Sequence, residues 1–152
     1  MVDIGVESKD DLEKCAGIAD TVIVGTETAS LELIEKAARK FPGRINVSID
    51  LKNGKVLTKD IKMKMQPEEL VKRLNDYDVR DIIILELGKV GTSAGIDVDF
   101  LKGIARLSIH NILVGGGIRD MDDIDKLKEI GVSGALVATA VHNGRIPVEL
   151  IR

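Results

Sequence analysis

Two stretches of this chain, 112 residues apart, share one plan, and that internal echo limits the possible folds more than any other feature. VDIGVESKDDLEKCAGIADTVIVGTETA opens the chain, and VGGGIRDMDDIDKLKEIGVSGALVATAVH lies near its end. Gly5 answers Gly117, while Asp10, Asp11 and Lys14 answer Asp122, Asp123 and Lys126. After a slip of one residue, Val24 and Thr26 answer Val137 and Thr139. Each copy runs from a short apolar segment through a glycine-bearing turn into an acid-started amphipathic stretch. A second apolar segment follows and ends in small and hydroxyl residues. That pattern reads as strand, helix, strand, a βαβ unit.

The offset also sizes the architecture. Two more strand–helix units lie between the copies, so four units share the interval at about 28 residues each, and eight would need about 225, close to a typical (β/α)8 barrel. The chain has 152 residues. The expected strands are Val2–Gly5, Thr21–Gly25, Ile45–Leu51, Asp81–Leu87, Asn111–Val114 and Gly134–Ala138. Between them the expected helices run Lys9–Ala19, Ser30–Phe41, Pro67–Tyr77, Val98–Leu107 and Asp122–Ile130. Runs such as TVIVG, DIIILEL and NILVG alternate little, as in parallel strands covered on both faces. Ser30 and Asp97 suit N-caps, Pro67 a first helical turn and Gly131 a helix end. The reading is one α/β domain over residues 1–152, an incomplete barrel of about six βα units with two missing from the front.

One connection is irregular. After Leu51 the chain reads KNGKVLTKDIKMKMQ, and Asn53–Gly54 signals a hairpin with Lys55 to Thr58 returning. It should overhang the C-terminal edge of the strands, where α/β folds bind ligands.

Composition narrows the chemistry. Aromatic residues make up 2% of the chain, so stacking on bases is disfavoured. A net charge of −3 with interspersed signs argues against a nucleic-acid or anionic-membrane surface. Cys15 is the only cysteine, which excludes an internal disulfide and fits a buried small hydrophobe in a reduced compartment. No apolar run approaches the roughly 20 residues of a membrane span, and the N-terminus carries no basic-then-apolar leader, so a cytoplasmic protein is expected.

Two loops point to an anion. In GGGIRD, the amides of Gly115, Gly116 and Gly117 can approach an oxyanion without side-chain obstruction, and Arg119 stands beside them as a phosphate partner. A tight turn alone is the other reading of the three glycines. In ATAVHNG, Ala138 and Thr139 supply a second amide cluster, next to the first in a barrel. The first copy of the repeat has Asp3, Ile4 and Glu7 in place of the glycine pair and the arginine, and acids repel phosphate. Gly25 and Thr26 there form a possible second polar site.

Asp50 ends the third strand in VSID, where it can exchange a proton with a substrate, or instead cap the KNG turn. Glu86 reads as a barrel-interior charge or an edge residue. Lys89, Gly91, Thr92 and Ser93 form a polar loop suited to a lid or a phosphate, as well as to plain connection. His110 and His142 lack companions at ligand spacing, so neither metal nor cofactor is expected.

VSID with its long loop, VGTSAGID, GGGIRDMDDIDKL and ATAVHNG together resemble the histidine-biosynthesis barrel family. Its members are the phosphoribosyl-formimino-aminoimidazole-carboxamide ribotide isomerase and the cyclase subunit of imidazole glycerol phosphate synthase. The resemblance implies a twofold-repeated, phosphate-binding (β/α)8 TIM barrel, of which this chain would be units three to eight. It implies that Asp50 is a catalytic aspartate and that Gly91, next to Thr92, contacts phosphate. It further implies that Gly116, Gly117, Ala138 and Thr139 form the C-terminal phosphate site. The family's partner acid ends a first strand that this chain does not contain. Leu85 stands where the isomerase usually has threonine, and Val90 where both enzymes usually have aspartate. The expected function is therefore an isomerase-related paralogue handling a small phosphorylated metabolite, with proton shifts of the Amadori, aldose-to-ketose type. The alternatives are a non-catalytic phosphate-metabolite module, or an incomplete barrel whose open edges are covered in a homo-oligomer.

Overall fold

The structure, a computed structural model, describes residues 1–150. Its sheet has parallel strands in the order β1 (Val22–Gly25), β2 (Ile45–Lys52), β4 (Asp81–Glu86), β5 (Asn111–Gly115) and β6 (Gly134–Leu136), with β3 (Lys55–Val56) folded back antiparallel on β2. Helix α1 (Lys9–Ile18) precedes β1, and α2 (Leu31–Lys40), α3 (Pro67–Leu74), α4 (Val98–Leu107) and α5 (Met121–Glu129) connect successive parallel strands. A short α6 (Thr139–His142) follows β6. This is the α/β architecture of a (β/α)8 barrel in which the sheet does not close. No helix among the described residues is long and apolar enough to cross a membrane.

Strand periodicity sorts the side chains. Val22, Val24, Ile45, Val47, Ile49, Leu51, Ile82, Ile84, Ile112 and Val114 project toward the helices, and none is more than 3% exposed. They meet Leu12 and Cys15 of α1, Ile34 of α2, Leu70 and Leu74 of α3, Ile104 of α4 and Leu127 of α5. The opposite face is covered only in part, with Asn46, Ser48, Asp50 and Ile83 buried on it. There Ile23, Leu85 and Leu113 are half-buried and Leu136 is 37% exposed. That face points toward a barrel axis that the open sheet does not encircle.

Local chemistry sets the element ends. Ser30 Oγ accepts from Leu33 N–H and Asp97 Oδ1 from Phe100 N–H, while Pro67 opens α3, all as expected. Gly131, at φ +89, ends α5 as Val132 N–H reaches back to the Leu127 carbonyl. Asn53 (φ 54) and Gly54 (φ 72) both take the left-handed conformation of a two-residue hairpin. The expected first strand shrinks to a single bridge, Val2 to Val22. Asp3 Oδ1 accepts from Gly5 N–H at 2.9 Å and turns the chain there, a local bond that competes with the ladder. The last strand likewise stops at Leu136 rather than Ala138.

Candidate functional site

The C-terminal edge of the sheet gathers most of the residues singled out above. Parallel register aligns Asp50, Leu85, Gly115 and Leu136 across β2, β4, β5 and β6, so these four lie on the inner face. Glu86 pairs with Leu51 and belongs to the helix-facing side.

A pocket of about 230 Å³ opens beside this row, between the loops after β4, β5 and β6. Gly91, Gly116, Gly117, Ala138 and Thr139 all line it, together with the apolar side chains of Leu85, Val90 and Leu136. Close packing explains the two glycines. At Gly116, φ is +93 and a Cβ would overlap the Glu86 carbonyl oxygen. At Gly117, φ is +84 and a Cβ would lie 3.0 Å from both the Gly95 carbonyl oxygen and Lys89 Cβ. Gly95 N–H donates to the Gly117 carbonyl at 2.9 Å, which clasps the loop after β4 to the loop after β5. The N–H groups of Gly116, Gly117 and Thr139 make no backbone hydrogen bond among the described residues. An oxyanion in the pocket can use them.

The remaining candidates of this cluster sit elsewhere. Gly115 borders a larger cavity, about 460 Å³, on the helix side of the sheet, floored by Leu51, Ile84, Val114 and Phe100 and rimmed by Glu86, a cavity the sequence reading missed. Thr92 Oγ1 donates to the Lys89 carbonyl at 2.8 Å and accepts from Ala94 N–H at 3.2 Å, shaping the loop rather than lining the pocket.

Arg119 is engaged within its own loop. Its Nε and Nη2 donate to Asp123 Oδ2 and Oδ1 at 3.0 and 2.7 Å, and its backbone N–H donates to Asp123 Oδ2 at 3.0 Å. The guanidinium hydrogen bonds hold the fully buried Asp123 carboxyl below its ordinary range and raise Arg119. Arg119 thus braces the glycine loop from behind, a role that the spacing of Arg119 and Asp123 on one helical turn could have signalled. Asp123→Ala is expected to cost about 2 kcal/mol in urea denaturation, since three donors lose a charged acceptor. Because the folded-state value is depressed, that difference should be complete above the ordinary aspartate range and vanish as pH falls through the folded value.

Asp50 is held from β1 and β2. It is 7% exposed. Ser48 Oγ donates to Oδ1 at 2.7 Å, Glu27 N–H donates to Oδ2 at 3.3 Å, and Asp50 N–H donates to Thr26 Oγ1 at 3.0 Å. Burial pushes the carboxyl upward, the Ser48 hydroxyl and Glu27 N–H oppose it, and the Glu27 and Asp3 carboxylates add to the rise. The residues expected to form a possible second polar site, Gly25 and Thr26, lie against Asp50. Thr26 is fully buried with its hydroxyl on Asp50, and a Cβ on Gly25 would stand 2.9 Å from Asp50 Oδ2. Both residues serve the aspartate because β1 and β2 are adjacent.

The alternative readings of Asp50 and Glu86 change places. Glu86 caps the hairpin, accepting from Asn53 N–H at 3.2 Å, Gly54 N–H at 3.1 Å and Gly88 N–H at 3.3 Å. Asp50 does not cap the turn, and Glu86 is not an interior charge. His110 Nε2 lies 3.2 Å from the Leu74 carbonyl, and His142 is exposed on α6.

Comparison with known proteins follows the same lines. The model of a family described as histidine biosynthesis protein matches residues 1–147. This chain belongs to that family. An uncharacterised protein of Methanocaldococcus jannaschii is 36% identical over 99% of this chain and 62% of its own length. Two relatives are named 1-(5-phosphoribosyl)-5-((5-phosphoribosylamino)methylideneamino)imidazole-4-carboxamide isomerase. The one from Clostridium botulinum is 34% identical over 86% of this chain and 55% of its own length. The one from Prochlorococcus marinus is 32% identical over 95% and 59% respectively. The chain therefore spans less than two thirds of the length of these relatives.

Proposed function

We propose that this chain provides the phosphate-gripping and proton-transferring part of a (β/α)8 isomerase that acts on a phosphorylated aminosugar in the cytoplasm. In this reading it corresponds to units three to eight of an eight-unit barrel. The observation that carries it is the meeting of Gly91, Gly116, Gly117, Ala138 and Thr139 around one pocket. Phosphate would sit on the backbone amides of Gly116, Gly117 and Thr139, with Arg119 and Asp123 keeping the loop rigid. Asp50 and Gly115 lie two strands apart in one row, about 10 Å at the usual strand spacing, a distance that an extended five-carbon phosphate can bridge.

An Amadori-type rearrangement needs one proton delivered to the ring oxygen as the sugar opens and one removed from C2. Asp50, raised by burial, is suited to hold and deliver the first proton. Glu86, tied to three amides, is unsuited to the second transfer. That group is assigned to the first strand of a complete barrel or to a second copy that covers the open sheet edges.

A second reading is a binding module without catalysis. It is favoured by Leu85, which stands between Asp50 and Gly115 in the row and brings Cδ1 within 2.8 Å of a Cβ built on Gly115. Both readings share the phosphate site. Inorganic phosphate at about 10 mM should raise Tm by about 3–5 °C if it binds with a Kd near 1 mM. No shift at that concentration contradicts both.

A further inference from the structure

Asp50 does not stand free on its strand. Ser48 and Asp50 are two residues apart on β2, so their side chains share the inner face. Ser48 is 3% exposed, and its hydroxyl donates to Asp50 Oδ1 at 2.7 Å. The other carboxylate oxygen faces the bare Gly25 and the Glu27 N–H, and the Asp50 backbone is anchored on Thr26. The charged groups that act on the carboxyl are Asp3 from the N-terminal segment and Glu27 from the turn after β1, and both are acidic. Among these groups the Ser48 hydroxyl is thus the strongest one favouring the ionised form against burial.

We propose that Ser48 is a positioning residue for proton transfer, holding the plane of the Asp50 carboxyl through the hydrogen bond from its hydroxyl to Oδ1. The sequence VSID contains both residues, yet neither the repeat nor the glycine loops assign Ser48 a task. This inference rests on the proton-transfer role proposed for Asp50. Without the hydroxyl, one carboxylate oxygen loses its only side-chain donor among the described residues while the two acidic neighbours remain. The carboxyl then keeps its proton to higher pH and gains rotational freedom, which misaligns the proton it delivers.

The test is a carboxyl-¹³C NMR titration of Asp50 in this chain and in Ser48→Ala and Ser48→Thr, read beside the pH–rate profile of any turnover with an aminoaldose phosphate. The Asp50 midpoint should rise in Ser48→Ala and return toward the parent value in Ser48→Thr. The basic limb of the rate profile, which reports the proton donor, should move the same way, with kcat lower by about tenfold and KM within about twofold. A residue that only fills space would leave the midpoint unmoved in the folded Ser48→Ala protein, and that result overturns the proposal. The two ideas fail separately. If Asp50→Asn keeps full turnover, the proton-transfer role falls. If Asp50→Asn loses turnover while the Ser48→Ala midpoint stays fixed, that role stands and the inference about Ser48 is wrong.

Discussion

If the proposed function holds, Asp50→Asn should lower turnover at least about a hundredfold, while phosphate affinity should stay within about twofold. The two effects separate because the proposed proton donor and the amide pocket lie in distinct parts of the structure. Asp50 belongs to β2 and is held by Ser48, Thr26 and Glu27, whereas the pocket is built from the loops after β4, β5 and β6. The same substitution should leave the fold as stable near neutral pH, or raise Tm by a few degrees, because a buried charge is removed at little cost in volume. The sign follows from the raised folded-state value. Ionised Asp50 is disfavoured by burial, so its penalty is fully present above the folded value and disappears as pH falls through it toward the unfolded value. The stability gap between Asp50→Asn and the parent should therefore be widest at neutral pH and close on acidification. Unchanged turnover would remove Asp50 from the mechanism, and a clear loss of stability at neutral pH would show that burial is not its dominant environment.

Gly116→Ala should be the most damaging single methyl in the molecule, at about 3–5 kcal/mol, with phosphate binding lost. Two independent strains add. The φ of +93 is costly for any L side chain, and the new Cβ would overlap the Glu86 carbonyl oxygen, with Glu86 C and N only 3.2 and 3.3 Å away. Backbone cannot rotate aside as a side chain can, and Glu86 is itself fixed by the hairpin amides. Gly144 supplies the control. Its φ is +69 but nothing lies within 4 Å of a built Cβ, so Gly144→Ala should cost only about 1 kcal/mol. Equal losses from the two substitutions in urea denaturation would mean that the close approach at Gly116 is not what demands glycine.

Much of this organisation is written locally in the chain. Continuous apolar runs mark β1, β4 and β5, Ser30, Asp97 and Pro67 mark helix starts, and Asn53–Gly54 marks the hairpin. The two glycine-bearing loops that meet at the pocket stand out by their lack of side chains. The less legible parts are contacts between elements. The cap that Glu86 places on a turn 33 residues away depends on β4 lying beside β2, which no local pattern states. Thr26 and Gly25 look like ligand contacts until β1 is set against β2, after which both face Asp50. Val2–Gly5 has strand composition, but the side chain of Asp3 offers Gly5 a competing bond. Two relations were within reach of simple periodicity: Ser48 with Asp50 at a spacing of two on a strand, and Arg119 with Asp123 at a spacing of four entering a helix.

Backbone amides around the pocket between the last three loops are the basis of the phosphate reading, and ¹⁵N NMR of the chain titrated with inorganic phosphate addresses them one by one. Gly116, Gly117 and Thr139 should show the largest saturable shifts, with a common Kd and with sulfate at equal ionic strength as comparator. Shifts confined to other surfaces, such as the polar hollow formed by Thr28, Ser30 and Lys59, or no saturable shift at those three amides, would contradict a phosphate site there.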